Sequence, residues 1–235
     1  MINILSDQHF SLIIPCYNEA PNIKKLFFEI EKYLKDFEYE IIFINDASTD
    51  NSLETIKEVK SKKNITILNN ELNMGQSFSI YKGIKNAKYN NIITIDCDGQ
   101  NNPKDIIKLI NKYFNSPSYD LVGGLRLKRK DTLIKIISSR IANLIRSFIL
   151  RDKCNDTGCS LKIFKRDIFL KYEFFDGIHR FIPALFSGLG KKTIFVEVDH
   201  RYREFGVSKY GTFKRALNGI FDIYRVLKII RKVNK

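Results

Sequence analysis

A doubly wound, mostly parallel α/β sheet is the fold this sequence predicts, and three observations predict it. Ser11-Leu-Ile-Ile-Pro15 and Glu40-Ile-Ile-Phe-Ile-Asn45 are nearly continuous apolar runs, as a parallel strand buried on both faces requires. Through the first half of the chain such runs alternate with amphipathic stretches, the pattern of a sheet covered by helices. Three strand ends turn polar, at Pro15-Cys-Tyr-Asn-Glu19, Asn45-Asp-Ala-Ser-Thr-Asp50 and Asp96-Cys-Asp-Gly-Gln100. Such a sheet collects its ligands at the carboxyl ends of its strands.

Strands are expected at Phe10–Pro15, Glu40–Asn45, Asn64–Asn69, Asn91–Asp96 and Tyr119–Gly123, with helices between them. After Gly123 the alternation stops. Asp131–Leu150 has a helical period, with Ile134, Ile137, Ile141, Leu144 and Phe148 on one side and Lys135, Ser139, Asn143 and Arg146 on another. Phe213–Lys232 repeats it, with Phe213, Leu217, Ile220, Tyr224 and Leu227 opposite Lys214, Asn218, Asp222, Arg225 and Lys232. Both read as basic amphipathic helices. The expected organisation is one domain over residues 1–210, including the helix at 131–150, followed by a C-terminal basic amphipathic helix over 211–235.

With 235 residues, 44% hydrophobic, 28% charged and 12% aromatic, the chain can bury a core. That composition excludes a disulfide miniprotein, a collagen-like fibre and wholesale disorder. No apolar stretch is long enough to cross a bilayer, and Met1–Phe10 lacks the regions of a secretion signal, so a cytosolic location is expected. Cys16, Cys97, Cys154 and Cys159 have no zinc-site spacing and read as reduced thiols. The net charge of +14 is concentrated: Gly124–Arg151 carries +7 and Arg201–Lys235 carries +8, which leaves −1 for the remainder. Such asymmetry points to an anionic partner, whether nucleic acid, phosphate groups or a membrane surface.

Asp96 and Asp98 sit two residues apart at a strand end, where both reach one point beyond the sheet edge. With the neutral oxygen of Gln100 they suit a hard cation, Mg2+ or Mn2+; equally, Asp-x-Asp-Gly is ordinary turn chemistry. Asp46 stands where an acidic side chain accepts hydrogen bonds from a base or ribose, whereas Asp50 or Ser48 reads as a helix N-cap. Glu19 fits either the pocket or a first helical turn. Arg140, between Ile137 and Leu144, either snorkels to water or meets a phosphate; Arg126, Arg203 and Lys209 are further candidates for that anion. His179, with no Ser, Cys or second His near it in sequence, reads as structural.

Taken in order, Ser11–Glu19, Ile44–Asp50, Asn73-Met-Gly75, Asp96–Gln100 and Arg203-Glu-Phe-Gly-Val-Ser-Lys-Tyr210 resemble family 2 glycosyltransferases of the GT-A type. Within that family they are most similar to polyprenyl-phosphate glycosyltransferases, the dolichol-phosphate mannose synthases and their bacterial undecaprenyl-phosphate relatives. The arginine-flanked Gly-x-Ser-Lys-Tyr element and Asp156-Thr-Gly-Cys159 carry the likeness to this lipid-phosphate subgroup. The resemblance implies a nucleotide-diphospho-sugar transferase fold with basic amphipathic helices at the membrane surface. It places Pro15, Tyr17, Glu19, Asp46 and Asp96 in the nucleotide pocket, and Asp96, Asp98 and Gln100 around the metal and donor diphosphate. Asp98, Arg126, Arg140, Arg203 and Lys209 form the catalytic set, the four cations holding the acceptor phosphate or the donor diphosphate. Two departures stand out. Asn45 occupies a position where many relatives carry Asp, and the C-terminal transmembrane helices of some members are missing, so attachment is expected to be peripheral on the cytoplasmic membrane face.

The implied reaction moves a hexose from GDP-mannose or UDP-glucose to a polyprenyl phosphate. The attacking phosphate oxygen is already anionic, so positioning and electrostatics replace a strong base, and in-line displacement inverts the anomeric centre. A transferase with a soluble acceptor is the alternative. A nucleic-acid binder should interleave its basic residues with exposed aromatics or form a known reading module, and neither is visible in the sequence; no nucleic-acid partner is expected. A non-enzymatic membrane adaptor leaves Asp46, Asp96 and Asp98 unexplained.

Overall fold

A computed structural model describes residues 8–60, 65–115, 119–126, 146–204 and 212–233. In chain order its elements are β1 (Phe10–Cys16), α1 (Ala20–Tyr33), β2 (Tyr39–Asn45), α2 (Ser52–Lys60), β3 (Ile65–Asn69), α3 (Gly75–Lys85), β4 (Asn91–Thr94) and α4 (Asp105–Phe114). β5 (Leu121–Leu125), β6 (Lys162–Lys165), α5 (Arg166–Phe169), α6 (Ile178–Gly188), β7 (Thr193–Glu197) and α7 (Thr212–Val233) complete the order.

The strands form one seven-stranded sheet in the order β3-β2-β1-β4-β6-β5-β7. β1 pairs in parallel with β2 and β4, β2 with β3, and β5 with β7; β6 alone runs antiparallel, between β4 and β5. The continuous apolar runs of β1 and β2 are explained by burial on both faces. Leu12 and Ile14 pack with Ile23, Phe27, Ile56 and Leu109 of α1, α2 and α4, whereas Ile13 packs with Ile80, Ile84 and Phe186 of α3 and α6. Alternate side chains thus feed two separate cores. α3 lies so close to the sheet that a Cβ on Gly83 would stand 2.7 Å from Ile44 Cδ1 and 2.8 Å from Ile13 Cγ2.

All five expected strands are present. The sheet also contains β6 and β7, in the region where no strands were expected. β6 is only four residues, with Lys162 and Lys165 at its ends, so its sequence lacks the long run of β1. β7 is an edge strand, half-buried along most of its length, and its pairing comes from β5 alone.

Of the helix expected at 131–150, residues 146–150 are helical and the rest, with Arg140, lie outside the described residues. The C-terminal helix is present as α7, but its faces differ from the expected ones. Asp222, expected on the polar face, is buried and paired to Arg180 at 2.9 Å, while Tyr224, expected on the apolar face, is exposed. Val226 is fully buried, and Ile223, Leu227 and Ile230 pack on the same core as α6. The ion pair with α6 rotates the helix so that Asp222 and Val226, four residues apart, face inward.

Candidate active site

β1 stands between β2 and β4, so the chain departs to opposite sides from neighbouring strands and leaves a crevice at their carboxyl ends. The loops after β1 and β2 are bound to each other there. Asn18, at φ 53°, donates its backbone N–H to Ser48 Oγ at 3.0 Å and accepts at Oδ1 from Thr49 N at 2.8 Å; Ala47 also has a positive φ, 54°. Asp50 accepts from Ser52 N at 2.9 Å, the expected cap of α2, and from Ala20 N at 3.2 Å in the first turn of α1. Burial opposes its ionisation, but these hydrogen bonds outweigh it and hold the carboxyl below the ordinary range. Glu19 precedes α1 and does not belong to its first turn. Pro15 is half-buried in register with Ile44, and half-buried Tyr17 follows it at the crevice edge.

Asp46 is buried, and its partners come from the β3–α3 loop and the first residue of α3. Oδ1 accepts from Met74 N at 2.8 Å and Asn70 Nδ2 at 2.7 Å, and Oδ2 accepts from Gly75 N at 2.8 Å. These amides would otherwise be orphaned at a helix start, and the helix dipole favours an anion there. Gly75 has φ +83°, a conformation that costs glycine little. Asp46 and Asn73-Met-Gly75 therefore act together to anchor α3 against the crevice. Asn45, at the departure from the family pattern, accepts from Ser48 N at 3.3 Å and closes the turn with its amide oxygen.

The carboxylates of Asp96 and Asp98 lie in the loop after β4. Gln76 Nε2 donates to Asp96 Oδ1 at 2.7 Å, and Gln100 N donates to Asp98 Oδ1 at 3.1 Å. Burial, and then the charge of Asp98, push the Asp96 carboxyl up to about 6, partly offset by Ser160, Lys162 and Arg126. Two carboxylates in one short loop, offering only hard oxygen, fit a divalent cation, which would offset the repulsion that Asp98 exerts on Asp96. Among the described residues no group of three or more acidic, His or Cys side chains gathers at a possible metal position. Two carboxylates are nevertheless sufficient for Mg2+, which keeps waters and takes phosphate oxygens. Gln100 is half-buried in the same loop.

Arg203 reaches this loop from the far end of the chain. It donates to Glu19 Oε1, and its Nη1 lies 3.6 Å from Asp98 Oδ2; Glu19 Oε2 also accepts from Asn22 Nδ2 at 2.7 Å. Arg126 is held by Asp156 through Nε at 2.7 Å and Nη2 at 2.8 Å, so that edge of the guanidinium faces a carboxylate and not a phosphate. Lys209 lies outside the described residues.

His179 has a serine near it in space though not in sequence: Ser77 Oγ lies 2.8 Å from its Nδ1 and accepts from Gly177 N at 2.8 Å, a contact that ties α3 to the start of α6. Positions 76 and 77 thus join α3 to the β4 loop and to α6. Gln76, Asn70, Ser77 and Lys162 carry no motif and were missed in the sequence; the only signal is that Gln76 and Ser77 directly follow Asn73-Met-Gly75.

Residues 11–173 match the family profile described as Glycosyl transferase family 2. The chain is 33% identical over 228 residues to a dodecaprenyl-phosphate galacturonate synthase of Rhizobium johnstonii, covering 94% of this chain and 67% of that protein. It is equally 33% identical to an undecaprenyl-phosphate 4-deoxy-4-formamido-L-arabinose transferase of Pectobacterium carotovorum, covering 94% of this chain and 68% of the relative. Among solved structures it superposes on glucosyl-3-phosphoglycerate synthase of Mycobacterium tuberculosis, in complex with Mn2+, UDP and phosphoglyceric acid, with a TM-score of 0.72 at 14% identity, over 94% of this chain and 80% of that one. Mannosyl-3-phosphoglycerate synthase of Rubrobacter xylanophilus gives a TM-score of 0.70 at 11% identity, over 92% and 72% of the two chains. These two likenesses are of fold.

Proposed function

The chain is a glycosyltransferase belonging to glycosyl transferase family 2, and from that premise we propose that it transfers a sugar from a nucleotide-sugar to a polyprenyl phosphate at a membrane surface. The observation that carries this reading is the Asp96–Asp98 pair at the switch point of the sheet, faced by Arg203 and backed by Gln76. Both relatives described above are named for transfer to a polyprenyl phosphate, which supports the acceptor class.

In this reading the nucleotide lies over the ends of β1 and β2, with Pro15, Tyr17, Glu19 and Asp46 around it. Asp96 and Asp98 hold Mg2+ or Mn2+, which when bound stabilises charge on the departing diphosphate. Arg203 leaves Glu19 or Asp98 to meet a phosphate, and Arg126, through Asp156, shapes the acceptor side. No side chain needs to remove a proton, since the attacking phosphate oxygen is anionic at neutral pH. In-line attack inverts the anomeric centre. The donor is GDP-mannose or UDP-glucose.

The membrane reading rests on exposed Phe148, Phe221 and Tyr224, alongside the exposed cations Arg225, Lys228, Arg231 and Lys232 of α7. No helix among the described residues is long and apolar enough to cross a membrane. Peripheral attachment on the cytoplasmic face, through 131–150 and the helix at 211–235, follows from this reading. The test is a donor screen against undecaprenyl and dolichyl phosphate with Mg2+ or Mn2+, read by mass spectrometry. A glycosyl phospholipid is the expected product; turnover with soluble acceptors alone would refute the lipid assignment.

A further inference from the structure

Lys162, at the head of β6, is 3% exposed, and the described residues give its ammonium one hydrogen-bond acceptor, the carbonyl oxygen of Cys159. An ammonium has three donors, and taking it out of water is costly unless an anion or several acceptors replace its hydration. The neighbouring arginines each meet a carboxylate: Arg126 has Asp156, Arg146 has Asp152 and Arg203 has Glu19. Lys162 forms no ion pair with any carboxylate of the described residues.

Its position is set by the sheet. Lys162 pairs with Thr94 on β4 and with Gly123 on β5, so the β5 side of it carries no side chain. Asp96 lies two residues beyond Thr94 on the same face, diagonal to Lys162, whose charge is among those that favour the ionised Asp96. β6 stands on the opposite side of β4 from β1 and β2, whose loops carry Glu19 and Asp46.

We propose that Lys162 is an anion-binding residue of this site, and that a phosphate oxygen is its missing partner. The inference rests on the transfer reading only for whose phosphate it is: the acceptor's, on the β5–β6 side, or the departing diphosphate of the donor. The charge is buried before the ligand arrives, so the donors are already oriented and stripped of water.

The test compares the full-length wild-type chain with Lys162→Met and Lys162→Gln by thermal melting, with and without millimolar inorganic phosphate or pyrophosphate. The wild type is expected to melt higher with phosphate, and both variants to lose that shift while melting no lower than wild type without it, since an uncompensated charge has been removed. This readout stands whether or not any sugar is moved, so it separates failure of the inference from failure of the transfer reading. In transfer assays the variants should lose about tenfold to a hundredfold in rate or acceptor affinity. Unchanged nucleotide affinity by calorimetry with a raised acceptor KM assigns the acceptor phosphate; parallel loss of pyrophosphate and nucleotide binding assigns the donor. An equal phosphate shift in variants and wild type, or none in wild type, overturns the proposal. Variants that melt lower without phosphate also overturn it, because the ammonium then serves only to hold the Cys159 loop.

Discussion

Arg126 and Asp156 are joined along a full guanidinium edge, Nε to Oδ2 at 2.7 Å and Nη2 to Oδ1 at 2.8 Å, while the Arg126 amide also donates to Oδ2 at 3.2 Å. With both side chains largely buried, each is the other's replacement for water. Removing one partner leaves an uncompensated charge, so Arg126→Ala and Asp156→Ala should each destabilise the fold by about 3–5 kcal/mol. The double variant should be little worse than the poorer single one. Chemical denaturation of all four chains measures this, and additive losses would show that the pair is not a unit. Because the pair ties the end of β5 to the loop before β6, transfer should fall with stability in the singles and recover in part in the double.

The contact from Gln76 to Asp96 makes a different prediction. A neutral amide donor fixes one oxygen of a crowded carboxylate, and a hydrogen bond to a charged group contributes about 1.5–3 kcal/mol. Gln76→Leu should therefore weaken metal-dependent nucleotide binding by roughly tenfold to a hundredfold without lowering the melting temperature greatly. Asp98→Ala should abolish transfer, as should EDTA, because a methyl group replaces no metal ligand. Calorimetry with nucleotide and Mn2+ separates the cases: full activity in EDTA would remove the metal from the reaction, and normal binding by Gln76→Leu would reduce Gln76 to packing.

What the sequence revealed and what it hid divide along physical lines. Asp96 and Asp98 were legible because two carboxylates follow an apolar run at a spacing of two. Their surroundings were not, since Arg203 meets Glu19 across 184 residues and Ser77 meets His179 across 102. Such partners are chosen by the fold and leave no local pattern. β1 and β2 were legible because double burial demands continuous apolar runs; β6 was hidden because a four-residue strand with lysines at both ends satisfies no periodicity. The register of α7 was misjudged for a related reason: an ion pair with Arg180 lets Asp222 face inward, which hydropathy alone counts as outward.

Asp50 gives a pH-dependent prediction. Its carboxyl is held below the ordinary range because the hydrogen bonds it accepts outweigh its burial. A depressed folded value means that the ionised cap stabilises the protein above the unfolded carboxyl pKa of about 4, and that this contribution fades as pH falls through the folded value. Asp50→Ala should cost about 1 kcal/mol at pH 7. The gap to wild type should narrow progressively below about pH 4. Urea titrations at several pH values measure it; a gap constant from pH 7 to pH 3 would show that ionisation of Asp50 contributes nothing.

Membrane attachment is tested best by substitutions on the exposed face of α7. Deleting the helix would also remove fully buried Val226 and the Asp222–Arg180 pair, so loss of binding would be confounded with damage to the core. Phe221 and Tyr224 are 75% and 71% exposed, and exposed Arg225 and Lys228 share that side of the helix. Insertion of an aromatic ring into the headgroup region stabilises binding by up to about 1.5–3 kcal/mol, and each nearby cation adds about 1 kcal/mol on anionic lipid. Phe221→Ser with Tyr224→Ser should therefore lower partitioning to anionic vesicles by tenfold or more while leaving the melting temperature unchanged. Added salt should weaken the wild-type interaction, because the charge contribution is screened within about 10 Å at 0.1 M. Val226→Asp, by contrast, should unfold the helix from α6 and lower stability. Cosedimentation of the double variant at the wild-type level would show that α7 serves packing alone and that the lipid surface is met elsewhere.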